Sequence, residues 1–410
     1  MILTLTANPS LDRTIELGGP VLRGQVQRAV WAGQQPGGKG VNVSRAVAAA
    51  DRVTLAVLPG DSDDPVLTGL DAIGLAHRSV PTGTPLRSNI TVTEPDGTTT
   101  KINEPGSSLS PHSQADLLDL VAELAAEAEW VVLAGSLPPG VGDDFYARAI
   151  VRIRELDEPP SIAVDTSGGP LAAALQASPD LIKPNAEELA ELLGAAGLLQ
   201  AAGLREEAQP HCDGHPSGQP ASAQPLEVPK PLETTEPLEA PEPLETAELF
   251  EIAARLESSP QLTARAASTL LAAAGPRPRS ILATLGAGGA VLALPETVWH
   301  AKHPPMEVVS TVGAGDSTLA GYLLGLTRGR EPGEALAQAV AYGAAAARMR
   351  GTGVPSPEDA RTDAVTVTPL TAPETPSAGT PEHTSAYAPI DDLSHRHHQQ
   401  GSVPEAEEAR

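Results

Sequence analysis

The sequence predicts an α/β fold built on a mostly parallel sheet, and three observations carry that prediction. Short β-rich runs alternate with stretches of helical apolar spacing along most of the chain. Two small-residue turns, Gly37-Gly38-Lys39-Gly40 and Gly313-Ala314-Gly315, lead directly into helical runs. One pair of extended segments, between residues 88 and 102, breaks the alternation and is expected to sit apart as a hairpin.

The elements follow in order. Ile2 to Thr6 is a β-rich run closed by the turn Asn8-Pro9, and Ser10 to Leu17 is a second extended piece with Asp12 near its start. After the first glycine turn, VNVSRAVAAA reads as a helix through Ala50. Val53 to Leu58 has the continuous apolar character of a buried strand, and Asp71 to Leu75 closes another helix. Ser88 to Glu94 and Thr98 to Ile102 alternate polar and apolar residues around the turn Pro95-Asp96-Gly97. A helix is expected from about Ala115 to Glu129, then the strand Trp130 to Leu133 and the loop Ala134 to Gly140. Helices at Phe145–Leu156, Leu171–Ala177 and Glu187–Leu193 alternate with strands at Ile162–Val164 and Leu181-Ile182. Ile281 to Leu285, Ala290 to Leu294 and Val298 to His300 read as strands, and Glu334 to Met349 as a long Ala-rich helix.

Two segments depart from this pattern. From about 200 to 246 the chain turns Pro-, Glu- and Ser-rich, and Pro-Leu-Glu recurs at 225, 231, 237 and 243. Proline at that density blocks helix, and one Leu in each unit builds no core, so an extended, disordered acidic insertion is expected. Residues 354–410 are again rich in Pro, Ser, Thr and Glu and read as a disordered tail, leaving a folded unit over 1–353. The His-rich run His395 to His398, and Cys212 beside His211, lack zinc-site spacing and read as solvated side chains.

The 410 residues carry a net charge of -25, with 52 acidic against 27 basic side chains. That balance argues against sequence-independent nucleic-acid binding, which needs Lys and Arg to neutralise phosphates. More than half of the excess lies in the insertion and the tail, about -8 and about -7. A single cysteine excludes a disulfide within the chain and fits a reducing compartment. MILTLTANPS has neither the basic region nor the apolar core of a signal peptide, and no apolar run is long enough to span a bilayer. A cytoplasmic location is therefore expected.

Val309 to Ala320, VSTVGAGDSTLA, carries the sharpest chemical signal. Gly313 and Gly315 let the backbone turn so that the first N–H groups of the following helix face outward, and such a terminus holds anions. Asp316 in that first turn stands beside the anion hole, the pairing that phosphoryl transfer to a hydroxyl requires. An aspartate there also serves as an ordinary helix cap. Gly37-Gly38-Lys39-Gly40-Val41-Asn42 fits neither a P-loop nor a dinucleotide fingerprint. Its glycines allow close backbone approach, Lys39 adds a point charge and Asn42 offers an amide, which suits a sugar phosphate. Arg87 and Asn89 open the hairpin, where a guanidinium fork suits a phosphate clamp on a lid. In Lys183-Pro184-Asn185-Ala186-Glu187-Glu188, Asn185 and Glu188 suit a hydrated Mg2+ ion and equally a capping box. Thr284-Leu285-Gly286-Ala287-Gly288-Gly289 is a glycine-rich strand-to-strand turn that suits the flat approach of a purine.

Gly-Gly-Lys-Gly, Lys-Pro-Asn-x-x-Glu and Val-Gly-Ala-Gly-Asp-Ser, in that order, resemble the ribokinase-like sugar kinases. TLTANPSLDRTIEL, PGGKGVNVSRA, EPDGTTTKINEPG, AGSLPPG and VDTSGG are more closely similar to the 1-phosphofructokinase branch. The resemblance covers about 1–197 and 247–353. It implies a three-layer α/β/α domain with a small β-sheet lid, at about 11–19 and 87–104, that often makes a homodimer contact. It also implies ATP, Mg2+ and conversion of fructose 1-phosphate to fructose 1,6-bisphosphate. By position, Asp316 is the implied base and Gly313, Ala314 and Gly315 the anion hole. Asp12, Gly38, Lys39, Asn42, Arg87, Asn89 and Ser136 are placed on the sugar phosphate. Lys183, Asn185 and Glu188 fall to the triphosphate and Mg2+, and Thr284, Gly286 and Gly289 to the nucleotide. Ala7 and Leu86 depart from the proline and threonine usual in the family, and the insertion and tail have no counterpart there.

Tagatose-6-phosphate kinase and 6-phosphofructokinase of the same family remain alternatives. A phosphosugar-sensing scaffold without catalysis is an alternative of another class.

Overall fold

The computed structural model describes residues 1–205, 244–274 and 277–370. Most of the Pro-Leu-Glu insertion, the tail beyond 370, Cys212 and the His395–His398 run lie outside the described residues.

The chain begins with β1 (Ile2–Thr6), buried at every position, as befits a strand covered on both faces. β2 (Ser10–Leu17) and β3 (Ala29–Gly37) follow, then α1 (Lys39–Ala49), which starts at the glycine turn. β4 (Thr54–Pro59) leads to α2 (Pro65–Ala72), which begins with Pro65 behind the Asp64 cap. β5 (His77–Val80) precedes the hairpin β6 (Arg87–Thr93) and β7 (Thr99–Asn103). α3 (Pro111–Ala125) starts four residues earlier than its apolar pattern suggests, because Ser110 caps it and Pro111 sits at its first position. Next come β8 (Trp130–Ala134), α4 (Phe145–Arg154), β9 (Ser161–Asp165), α5 (Gly168–Gln176), β10 (Leu181–Ile182) and α6 (Ala186–Ala195). Two helices absent from the sequence expectation, α7 (Thr246–Ser258) and α8 (Pro260–Ala273), precede β11 (Ser280–Thr284). β12 (Ala290–Ala293), β13 (Val298–Lys302), α9 (Ala314–Leu326), α10 (Pro332–Ala347) and β14 (Thr366–Leu370) complete the fold.

Ten strands form one sheet in the order β14-β13-β12-β11-β10-β9-β8-β1-β4-β5. Pairing is parallel from β5 through to β11 and antiparallel from β11 to β14. Side chains alternate across β1: Leu3 and Leu5 pack with α3 to α8, while Ile2 packs with α1, α9 and α10. The result is the expected three-layer α/β/α arrangement with a mostly parallel sheet. The hairpin does sit apart, in a second sheet of order β3-β2-β6-β7, to which β3 adds a strand that the sequence did not announce.

Both boundaries of the folded unit need correction. Ala202 and Leu204 are buried in the main core and Leu244 packs against it, so residues at both ends of the stretch read as an insertion from about 200 to 246 belong to the fold. The segment read as the start of the tail holds β14, which pairs with β13 along its whole length and closes the sheet edge. Its Pro369 is tolerated because an edge strand has one side without ladder bonds.

Candidate functional site

The strand order places a crevice where function is to be sought. From β1 the chain steps to β4 on one side and later to β8 on the other, and ligands settle at the carboxyl ends of strands flanking such a switch. Asn8 follows β1, Ser136 follows β8, Asp165 ends β9, and Lys183 follows β10. All four lie at that edge.

α9 points its N-terminus into the same region. Gly313 caps it in the left-handed conformation, φ 76°, which a side chain would disfavour. The first backbone bond of the helix runs from the Ser317 N–H to the Gly313 carbonyl, so the N–H groups of Gly315 and Asp316 precede its ladder. A Cβ on Gly315 would stand 3.5 Å from Lys183 Nζ, an ordinary contact distance, which places the lysine beside the helix start.

The charged residues interlock around Asp165, which is fully buried. It receives Lys39 Nζ at 2.8 Å on one oxygen and Lys183 Nζ at 3.1 Å on the other. Burial alone would raise its carboxyl, but the two ammonium groups outweigh that and hold it below the usual range. Burial also opposes the charge on Lys39, yet Asp165, Glu188 and Asp316 keep that amine firmly protonated. Asp316 shows the opposite balance. Burial first, and then the charge of Asp165, push its carboxyl up to about 6, against Lys39, the Asn42 hydrogen bond and Lys183. Asn42 Nδ2 donates to Asp316 Oδ2 at 2.8 Å. That leaves Oδ1 without a hydrogen bond among the described residues.

The sugar-phosphate candidates divide into two groups. Asn42 meets Asp316 directly and Lys39 acts on it through its charge, whereas Asp12, Asn89 and Arg87 stand on the second sheet. Asn89 Nδ2 donates to Asp12 Oδ1 at 3.1 Å, and Asp12 faces Gly37, whose missing side chain admits the carboxylate. Gly38 has φ 116°, with Thr6 packed where a Cβ would project. Ser136 accepts from Asn8 Nδ2 at 3.4 Å. The terminal nitrogens of Arg87 donate to the Glu104 and Asn8 carbonyls, and among the described residues its buried Nε has no partner.

Asn185 and Glu188 form a complete capping box at the start of α6, each side chain accepting from the other's N–H at 2.8 Å. Glu188 Oε1 lies outside the box, 3.9 Å from Lys39. Among the described residues no group of three His, Cys, Asp or Glu is placed to hold a metal.

Beyond this charged centre opens a cleft of about 860 Å³, lined by Asn185, Thr284, Gly286, Gly289, Ala314 and Gly315, with α7 and α10 as walls. Its size suits a nucleotide. A Cβ on Gly289 would collide with the Ala301 carbonyl, which explains glycine there. Sequence reasoning missed the α7 wall, Asp165 and Arg45. Asp165 was marked by its place at the end of a buried strand, in the motif VDTSGG, although its two lysine partners lie far away in sequence.

A covered, mostly parallel sheet with such a cleft along its carboxyl edge is a build common to many nucleotide-binding enzymes. The chain belongs to the pfkB family of carbohydrate kinases, whose family profile matches residues 5–214 and 245–359. It is 30% identical over 366 residues to the 1-phosphofructokinase of Haloferax volcanii, covering 88% of this chain and 96% of that protein. It is 29% identical over 334 residues to the ATP-dependent 6-phosphofructokinase isozyme 2 of Mycobacterium tuberculosis, covering 80% and 78%. Phosphofructokinase-2 from Escherichia coli shares the fold, with a TM-score of 0.64 at 24% identity over 88% of this chain and 96% of that one. Family membership identifies an enzyme and sets the scaffold alternative aside. Among the described residues no helix is long and apolar enough to cross a membrane.

Proposed function

We propose that the protein transfers the γ-phosphoryl group of ATP to fructose 1-phosphate, giving fructose 1,6-bisphosphate and ADP, with Asp316 as general base. The observation that carries this reading is the buried Asp316 at the N-terminus of α9, one oxygen held by Asn42 and the other unpaired. The substrate hydroxyl oxygen attacks the γ-phosphorus, its proton passes to Asp316, and the bond from phosphorus to the ADP oxygen breaks. The N–H groups at Gly313, Ala314 and Gly315, that of Ala314 released from its long 3.4 Å bond to the Thr311 carbonyl, and the helix dipole hold the phosphoryl oxygens as charge spreads onto them. Lys183 attends the triphosphate and Lys39 the phosphoryl group in transit, both oriented by Asp165.

Thr284, Gly286 and Gly289 accept the nucleotide against the cleft wall. Asp12, Gly38, Lys39, Asn42, Asn89 and Ser136 take the sugar phosphate together with Arg87, whose guanidinium keeps N–H groups beyond the two given to the Glu104 and Asn8 carbonyls. Asn185 and Glu188 would hold Mg2+ through its water, and the ion would neutralise charge on the phosphates. The second sheet, with Val30 and Ile102 exposed, is the contact for a homodimer.

Fructose 1-phosphate is favoured by the EPDGTTTKINEPG and AGSLPPG motifs and by the Haloferax volcanii relative. The near-equal identity to a 6-phosphofructokinase supports fructose 6-phosphate as the second reading. ADP release measured with fructose 1-phosphate, fructose 6-phosphate and tagatose 6-phosphate decides between them. A kcat/KM highest for fructose 1-phosphate is expected, and a clear preference for either 6-phosphate overturns the assignment.

A further inference from the structure

We propose that Arg45 is a positioning residue that sets the orientation of the Asn42 amide, and so ties the Asp316 carboxylate to the placement of strand β3 in the second sheet. The proposal rests on the reading of Asp316 as the base.

Arg45 lies three residues after Asn42 on α1, so the two share a helix face. Its guanidinium lies within hydrogen-bond distance of four acceptors on three separate parts of the chain, the two Nη1 hydrogens being shared among three of them. Nη2 donates to Gln35 Oε1 at 2.6 Å and Nη1 to the Pro36 carbonyl at 3.3 Å, both on β3. Nη1 also donates to the Thr352 carbonyl after α10, at 3.2 Å, and to Asn42 Oδ1, at 3.4 Å.

A guanidinium has donors and no acceptor, so the Asn42 atom facing it must be the carbonyl oxygen. The amide nitrogen then faces Asp316, where it donates at 2.8 Å. With the amide reversed, two acceptors would oppose each other unless Asp316 carried a proton, and a protonated Asp316 is no base. Arg45 therefore fixes which protonation state of Asp316 the amide supports.

The other charged groups facing Asp316 are Asp165, Lys39 and Lys183, and Arg45 itself faces Asp12. The link to the second sheet is direct, because β3 pairs with β2 so that Gln35 stands opposite Asp12. A sugar phosphate engaging Asp12 would thus steady the strand that Arg45 grips. Packing alone explains a half-buried arginine, but it does not require this polarity of the Asn42 amide.

The test compares Arg45→Met and Arg45→Lys, each alone and combined with Asn42→Ala, by steady-state kinetics across pH and by thermal melting. Arg45→Met is expected to lower kcat about tenfold, the loss of roughly one charge-assisted contact at the transition state, with KM for ATP unchanged. The acid limb of kcat/KM moves to higher pH, because the Asn42 donor that favours the carboxylate is no longer held. Arg45→Lys recovers part of kcat, since one ammonium cannot reach β3 and Asn42 together. In the Asn42→Ala background, Arg45→Met adds less than about a twofold loss, as expected for residues acting through one contact.

A lowered Tm with unchanged kcat and acid limb overturns the proposal, and so does full additivity with Asn42→Ala. Should Arg45→Met fail to fold, Gln35→Ala is expected to shift the acid limb in the same direction by a smaller amount, and no shift counts against the proposal. Asp316→Asn separates the two levels. If it keeps wild-type turnover, the base assignment falls and takes the Arg45 proposal with it. If it is inactive while Arg45→Met behaves as wild type, only the Arg45 proposal falls.

Discussion

Asn42 and Asp316 are 274 positions apart in sequence and joined by a 2.8 Å hydrogen bond. That bond brings the two small-residue turns of the chain together. α1 begins at one and α9 at the other, and the acid lies where they meet. Capping does not explain Asp316, because Gly313 occupies the N-cap position and no side chain caps the helix. A carboxylate buried here without a capping role is costly unless something uses it. Replacing it with asparagine keeps the shape and removes the proton acceptor. Asp316→Asn is expected to lower kcat by about 10²–10⁴-fold with little change in ATP binding, measured by ADP release and nucleotide titration.

The pH dependence follows from the same residue. Burial and the neighbouring Asp165 raise the Asp316 carboxyl from its ordinary 3.8 to about 6. Proton acceptance requires the ionised form, so kcat/KM is expected to fall as pH drops through about 6, along a limb set by one proton. An unshifted aspartate would keep its activity well below pH 5. A profile flat down to pH 4.5 would contradict the assignment.

Asp165 is expected to show the reverse linkage. Its folded carboxyl is held low by Lys183 and Lys39, so it contributes stability above the ordinary carboxylate range that is lost as pH falls through its folded value. Asp165→Asn leaves two lysines facing each other at a buried site, at a cost of about 3–5 kcal/mol. A lower Tm at neutral pH, with the difference from wild type narrowing in acid, is the expected melting result.

Much of the fold and the centre of the site were legible because their signals are local. Glycine turns running into apolar helices marked α1 and α9, and the Asn185/Glu188 spacing marked the capping box that the structure contains. Strand and helix alternation gave the parallel sheet. What escaped depends on partners distant in sequence. β3 contains Gly33, Gln34, Gln35 and Pro36 and has no strand-like pattern of its own. It is a strand because β2 pairs with it. β14 looks like part of a Thr- and Pro-rich tail until β13 supplies its ladder. Asp165 needed both lysines to be recognised. α7 is a different case, since Leu249, Ile252 and Leu256 carry helical spacing in plain view, and only the neighbouring Pro-Leu-Glu repeats drew attention from it.

The proposed homodimer contact on the second sheet can be tested at its exposed apolar side chains. Val30 is 68% exposed and Ile102 56%, on β3 and β7. The two stand on opposite edge strands of the sheet, so a double substitution probes both edges. Val30→Asp combined with Ile102→Asp is expected to halve the sedimenting mass while leaving the main sheet folded by circular dichroism. An unchanged mass would place the contact elsewhere.

The insertion offers a prediction that depends on where the fold actually stops. Removing 200–246 takes away Ala202, Leu204 and Leu244, all packed into or against the core. It also severs the pair formed by Arg205 with Glu248, whose Nε to Oε1 distance is 2.6 Å. Each buried leucine lost is worth about 2–5 kcal/mol, so that deletion is expected to lower Tm sharply. Replacing only 206–243 with a short Gly-Ser linker keeps these contacts. The Arg205–Glu248 pair shows that the two ends lie close enough for a short linker to join them, and loop closure depends only logarithmically on length. The second variant is expected to keep kcat within about twofold of wild type and Tm within a few degrees. Loss of turnover in this variant with an intact melt would show that the Pro-Leu-Glu segment acts in the reaction itself, through α7 at the cleft wall.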